Sequence, residues 1–397
     1  MLLSSAVIFS TSLLGAFLPA KAATNNWTVD DDGLADFHTI QEAINAAGIG
    51  DTVIVYAGSY NESVNINKTL TLASQSGPLN TIISLPNSSN PNPPENLFNV
   101  TANNVTISGF TITAIVGWGS NAINLDNVRF CNISNNICYG NGIGIHLLQS
   151  SYNTIINNDV SDNQRGMYLH ESNHNLIMNN TAARSTYSAG ITLVFSSNNQ
   201  ILNNTANSNI NEGIYLLEQP TTNNLIANNT VNSNSNYGLH AFAAYDNKIV
   251  DNVFSDNGNA LFLRGASKNN EILNNTILNN GVGLFLGDPE NELGDCSNNT
   301  IYHNNFLSNT QQTYVYQSAS IWDNGSISGG NYWTDYNGTD ADNDGIGDSP
   351  YVIDANNVDR YPLMAPTTPI PTPTPEPNPT PSPTPTSTPT PSNQCNN

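Results

Sequence analysis

The chain has 397 residues, 38% of them hydrophobic and only 10% charged, and 31 acidic against 9 basic residues give a net charge of −22. So acidic a chain repels phosphate and anionic headgroups, which excludes a generic nucleic-acid binder and a protein docked on membranes by charge. Four cysteines exclude a disulfide-stapled scaffold, and no internal apolar run is long enough to span a bilayer.

In chain order, residues 1–22 read as a secretory signal, with an apolar core at 7–19 and the cleavage pattern Ala20-Lys21-Ala22. The stretch before the core lacks Lys and Arg, a departure from that pattern. The expectation is an exported protein, extracellular or at the cell surface, with no transmembrane segment once the signal is removed. Residues 23–50 read as an N-terminal cap, in which Ile40, Ala43, Ile44 and Ala47 fall on one helical face. A short helix there covers the open end of whatever core follows, which otherwise exposes apolar surface and unpaired backbone.

Residues 51–322 carry an internal repeat, usually Ile-x-Asn-Asn, then a second Asn, then Gly-apolar-x-apolar. One column is Asn136, Asn158, Asn180, Asn204, Asn229, Asn252, Asn275 and Asn304, at spacings of 22, 22, 24, 25, 23, 23 and 29 residues. Five residues further lie Asn141, Asn163, Asn209, Asn234, Asn257, Asn280 and Asn309, with Ser185 as the exception. Three residues before the first column stand Ile133, Ile155, Ile177, Ile201, Ile226, Ile249, Ile272 and Ile301. A unit this short cannot hold a strand–helix–strand crossover, and none has a helical period. The pattern predicts a right-handed parallel β-helix of about ten or eleven coils, roughly 50 Å long at the strand spacing, with isoleucine inside and asparagine amides bonding from coil to coil. Less regular coils precede it at Thr52-Val53-Ile54-Val55 and Val105-Thr106-Ile107. Residues 323–364 read as a C-terminal cap and residues 365–397 as a Pro/Thr-rich stalk that forms no packed core. Asn-x-Ser/Thr sequons, among them Asn26, Asn61, Asn67, Asn104, Asn132, Asn324 and Asn337, make the exported chain a candidate glycoprotein.

The segment Gly50-Asp51-Thr52-Val53-Ile54-Val55-Tyr56-Ala57-Gly58-Ser59-Tyr60-Asn61-Glu62 after the helix resembles the opening of pectin-lyase-like right-handed β-helices. The Asn-rich units resemble the NosD-like family and its carbohydrate-binding and sugar-hydrolase repeats. Gly330-Asn331-Tyr332-Trp333-Thr334-Asp335-Tyr336 and Asp359-Arg360-Tyr361-Pro362-Leu363 resemble the end of such repeats in archaeal surface proteins. The resemblance spans residues 36–364 and implies the all-β fold; that fold hosts lyases, hydrolases, epimerases, adhesins and copper-delivery accessories, so it names no activity.

Function has to be read from side chains. Strand alternation turns Ile145, Met167, Ile191, Ile214, Leu239, Leu261 and Leu284 inward and the residues after them outward. That outer column is His146, Tyr168, Thr192, Tyr215, His240, Phe262 and Phe285, a line of rings on which sugars can stack. His146, Tyr168, Tyr215, His240, Phe262 and Phe285 are the candidate glycan-binding residues, and the expected partner is a polysaccharide or surface glycan. The competing reading is a stripe covered by a loop or a second subunit.

No catalytic residue is assigned. A hydrolase needs two carboxyls facing one bond, and Glu171 and Glu218 stand two coils apart, about 10 Å. A lyase or epimerase needs a base on a held uronate; Arg264 has Asp246 and Asp288 in reach but no acidic cluster beside it. Charged residues on adjacent rungs of the ring-bearing face favour an enzyme, and a bare aromatic strip favours binding. A copper-handling accessory is the third reading, disfavoured because His146 and His240 lie about four coils apart, roughly 19 Å, and His170 with His174 is the nearest pair. The clearest ligand pattern is Asp340-x-Asp342-x-Asp344-Gly345-x-x-Asp348. Alternating Asp around a sharp Gly turn suits the oxygen shell of Ca²⁺, here with a structural role, and Tyr351 stands where an EF-hand has its closing Glu.

Overall fold

The computed structural model describes residues 24–85, 96–113, 120–291 and 296–367. The signal segment and nearly all of the stalk lie outside the described residues.

The chain winds as a right-handed parallel β-helix with three faces. One face is a sheet of twelve strands, from Asn26–Val29 to Thr300–Tyr302. A second is a sheet of eleven strands, from Val64–Ile66 to Gln311–Val315. The third face is shorter, a sheet of four strands and a sheet of five joined by single bridges through Asp159, Thr181 and Thr205. The helix therefore has about twelve turns, more than the expected ten or eleven, because the early coils carry no asparagine column by which to be counted. Strand pairing is parallel and in register up to the cap, where Tyr351–Asp354 and Asn357–Asp359 pair antiparallel.

The interior is built from columns of one side chain per coil. Ile133, Ile155, Ile177, Ile201, Ile226, Ile249, Ile272 and Ile301 are buried, as are the seven residues from Ile145 to Leu284 read as inward-facing. At the N-terminal end, helix α1 (Ile40–Ala46) lays Ile40, Ala43 and Ile44 on the first coil. Thr39 caps it by accepting from Glu42 N, and the Glu62 carboxylate accepts from Ile40 N at 2.8 Å and Gln41 N at 3.0 Å. These bonds satisfy donors that a helix start leaves open.

The Ile-x-Asn-Asn signature is a backbone device. In the first column each Asn after Asn136 accepts, on Oδ1, both the backbone N–H and the Nδ2 of the Asn one coil earlier; Asn180 donates both to Asn204 at 2.9 and 3.1 Å. The residue before each column Asn sits in the left-handed region, as at Asn157, Asn179 and Asn203 with φ of 56°, 56° and 54°. Asn reaches that region at little cost, which explains the doubled asparagine. A third ladder, Asn153, Asn175, Asn199, Asn224, Asn247, Asn270 and Asn299, runs down another corner. Each ladder satisfies buried amides that would otherwise cost about 1–3 kcal/mol apiece.

Candidate functional site

The outer column is continuous in register, with Thr192 the one position that carries no ring. Register pairs His146 with Tyr168, Tyr168 with Thr192, Thr192 with Tyr215, Tyr215 with His240, His240 with Phe262 and Phe262 with Phe285, all on the eleven-stranded sheet. It continues to Tyr314, whose ring centroid is 4.6 Å from that of Phe285. The rings are less open than a line on the outside implies. His240 and Phe262 are buried, while His146, Tyr168, Tyr215 and Phe285 are half-buried. In-register rings stack along the axis: Tyr215 and His240 lie 4.5 Å apart at 9°, and His240 and Phe262 5.2 Å apart at 15°. The flat faces of Tyr215, His240 and Phe262 are thus taken up by one another, whereas Phe262 with Phe285 and Phe285 with Tyr314 are tilted at 49° and 58°.

Charged side chains sit on adjacent rungs beside this column. Arg264 Nε donates to His240 Nε2 at 3.0 Å, and Arg264 Nη1 to Asp288 Oδ2 at 3.1 Å. An arginine can only donate, so His240 Nε2 is an acceptor and its proton sits on Nδ1, facing Glu212 Oε1 at 3.4 Å. Burial lowers the His240 pKa, Glu212 opposes this, and Arg264 adds to it. His240 is therefore a neutral imidazole with both nitrogens engaged. Burial raises the pKa of both Tyr215 and Tyr237. The Tyr237 ring packs 4.9 Å from His240 and 5.0 Å from Phe262.

Sequence reading placed Arg264 and Asp288 near one another but missed Glu212 and Tyr237. The reason is a break in strand alternation. A Cβ on Gly213 would stand 2.4 Å from Val231 Cγ1, so this position faces the interior, as does Ile214. With two inward positions in succession, Glu212 comes out on the same face as Tyr215. The glycine before the inward aliphatic residue in Gly-apolar-x-apolar was the available signal.

The remaining candidates are scattered. Glu171 and Glu218 are separated by the coil carrying Phe195, and Glu171 instead accepts from Gln149 Nε2 at 2.8 Å. His170 lies 3.8 Å from Glu171, whereas the His174 ring stacks on Tyr152 at 4.8 Å. His303 contacts the Ser328 carbonyl and His38 the Asp30 carbonyl. Cys131, Cys138 and Cys296 are buried, and burial raises the pKa of the Cys131 and Cys138 thiols. Copper prefers converging His, Met and Cys donors. Among the described residues the groups of three or more close metal-type donors are Asp30, Asp31, Asp32 and Asp340, Asp342, Asp344, all hard oxygens. Neither of these two groups offers the His, Met or Cys donors that copper prefers.

In the C-terminal cap, ligand oxygens of Asp340, Asp342 and Asp344 lie within 4.8 Å of one another. The Asp340 carboxylate accepts from Asp344 N and Gly345 N and so holds the turn. Asp348 is turned aside, accepting from Thr339 Oγ1 at 3.0 Å and Ala341 N at 2.9 Å. The set is chemically suited to a hard cation.

Comparison with known proteins bears on the fold and the family. The family model described as periplasmic copper-binding protein (NosD) matches residues 44–261 and 183–338. A cell surface glycoprotein of Methanothermus fervidus is 36% identical over 102 residues, 25% of this chain. The aligned part is 15% of that protein's length. Among solved structures, the A-module of the mannuronan C-5 epimerase AlgE4 of Azotobacter vinelandii is similar with a TM-score of 0.52 and 19% identity, covering 71% of this chain and 94% of that one. The AlgE6 A-module gives 0.51 and 18% over the same shares. The Dettilon tailspike protein gives 0.53 and 15%, covering 71% of this chain and 59% of that one. At these identities the structural likeness is one of fold.

Proposed function

We propose, since the chain belongs to the NosD family, that it is an exported cell-surface β-helix protein that binds a polysaccharide or surface glycan along its ring-bearing sheet. The observation that carries this reading is the outer column in register from His146 to Tyr314, a ring at every position but Thr192, with Arg264 beside the Phe262 ring. A parallel sheet repeats its outer groups at about 4.8 Å, a ruled surface suited to an extended polymer. The surface location is supported by the Methanothermus glycoprotein and the signal-like segment, and the ligand class by the epimerase modules, whose name denotes action on mannuronan. We propose further that Asp340, Asp342 and Asp344 take Ca²⁺ and order the C-terminal cap.

An epimerase or lyase is the second reading, favoured by charged residues on adjacent rungs. Such an enzyme needs a base with an open lone pair. Both nitrogens of His240 are engaged, which suits it to holding Arg264 rather than to taking a proton.

The test is retention of the mature protein on neutral and anionic polysaccharides, with and without Ca²⁺, while unsaturated and reducing ends are recorded. Retention without product supports the binding reading. Product establishes the enzyme, and absence of retention on every polymer refutes the binding reading.

A further inference from the structure

The guanidinium of Arg264 differs from those of Arg184 and Arg360. Arg184 donates Nε and Nη2 to the two oxygens of Asp162 at 2.8 and 2.7 Å. Arg360 does the same to Asp323, at 2.9 and 2.8 Å. Both forks are closed by a carboxylate of the chain itself. Asp288 instead takes a single N–H of Arg264, and its oxygens are otherwise filled by Glu290 N, Asn291 N and Asn291 Nδ2 at 3.2, 3.2 and 3.0 Å. Nε is spent on a neutral imidazole. A guanidinium has five N–H bonds, and the contacts to His240 and Asp288 use two of them.

The group is also held stiff. Its carbon lies 5.1 Å from the Phe242 ring centroid and 5.5 Å from that of Phe262. The side chain nonetheless keeps 26% of its surface open, on the outer face of the sheet. A fixed, partly open guanidinium without a bidentate partner is preorganised for a planar anion, because nothing further has to be ordered when the anion arrives. On the same sheet, four strands away and so about 19 Å along the axis, Arg165 lies over the Tyr168 and Tyr187 rings. A polymer along the column meets both.

Resting on the glycan-binding reading, we infer that Arg264 is the anchor for a sugar carboxylate, and that the glycan taken is a polyuronate. A neutral polymer leaves this fork filled only by water. The overall charge of −22 is screened beyond about 8 Å at 0.15 M salt; Asp288, 3.1 Å from the guanidinium, opposes a second carboxylate at short range but occupies only one of its N–H bonds.

The experiment compares a polyuronate with the same polymer after reduction of its carboxylates to alcohols, in EDTA at 150 mM salt, on the full mature chain. The expected result is at least about tenfold tighter retention of the polyuronate, a single contact of about 1.4 kcal/mol. That margin collapses in Arg264→Gln and is not restored in Arg264→Lys, which has charge but no fork. Thermal melting of each variant establishes that it is folded, and the ligand-side comparison needs no variant. Equal retention of both polymers overturns the carboxylate assignment and leaves the binding reading standing. A uronate preference that persists in folded Arg264→Gln overturns the role of Arg264. Retention of no polymer at all overturns the binding reading itself.

Discussion

Asp359 ends the amide ladder by receiving Asn331. Its Oδ2 accepts the Asn331 backbone N–H at 2.7 Å and Nδ2 at 3.3 Å, in the manner of each Asn Oδ1 before it, and also accepts Trp333 Nε1 at 2.9 Å. A ladder in which every amide needs an acceptor one coil on must stop at a group that needs none, and a carboxylate is that group.

Burial raises the Asp359 pKa to about 6, although the N–H bonds to it pull the other way. A carboxyl raised on folding stabilises fully below its unfolded value near 4, and that contribution is lost as pH rises through about 6. Asp359→Asn keeps an acceptor and removes the titration. Relative to this variant, the wild type should lose up to about 3 kcal/mol of stability between pH 4 and pH 7. Asp359→Ala, which strands the Asn331 and Trp333 donors, should cost about 3 kcal/mol at pH 4. Denaturant melts at both pH values check this.

Inside the ladder, Asn204 accepts from Asn180 N and Nδ2 and donates to Ile177 O at 2.9 Å and Asn229 Oδ1 at 3.1 Å. Asn204→Ala orphans the Asn180 N–H and the Ile177 carbonyl and should cost about 2–4 kcal/mol. Asn204→Asp should cost more, since it faces two acceptors with a carboxylate. Asn204→Ser should cost about as much as Asn204→Ala. Ser185 shows why: in the neighbouring ladder its hydroxyl is buried without a hydrogen-bond partner, and Asn163 Nδ2 has turned to carbonyl groups instead. Unfolding midpoints of the three variants give the order.

These ladders were legible because each is a column at fixed phase in a repeat, and isoleucine beside asparagine can be aligned by eye. The Asn153 ladder was not recognised, since its neighbours at the left-handed corner vary through Tyr152, His174 and Asn198 and give no constant pair to align. The outer ring column was legible in register but not in exposure, because periodicity says which face a residue takes and not that stacked rings close over one another. Glu212 was hidden by the broken alternation at Gly213. Its approach to His240, 28 residues on, is a contact between coils that no local spacing encodes.

His146 places both ring nitrogens in the covered part of the column without a hydrogen-bond partner. Burial, with His170 and Arg165 nearby, lowers its pKa to about 4. A base depressed on folding stabilises above its unfolded pKa near 6.5, and that contribution is lost as pH falls through about 4. His146→Phe matches Phe262 and Phe285 of the same column and removes two unpaired polar atoms. It should be at least as stable as wild type at pH 7, and more stable at pH 4, by thermal melting at the two pH values.

The Ca²⁺ proposal makes a prediction confined to the cap. Three carboxylates held within 4.8 Å of one another repel, and a cation that binds only the folded turn removes that cost. At 100 times its dissociation constant, Ca²⁺ should add about 2.7 kcal/mol to the stability of the cap. Asp340→Asn with Asp344→Asn should abolish the gain while raising stability without metal, because the repulsion goes with the charges. Asp348→Asn should leave most of the gain, since Asp348 is turned to Thr339 and Ala341. Melting curves with Ca²⁺ and with EDTA separate these outcomes. A gain that survives the double substitution places the cation elsewhere, and Asp30, Asp31 and Asp32 at the opposite end of the rod are then the group to change.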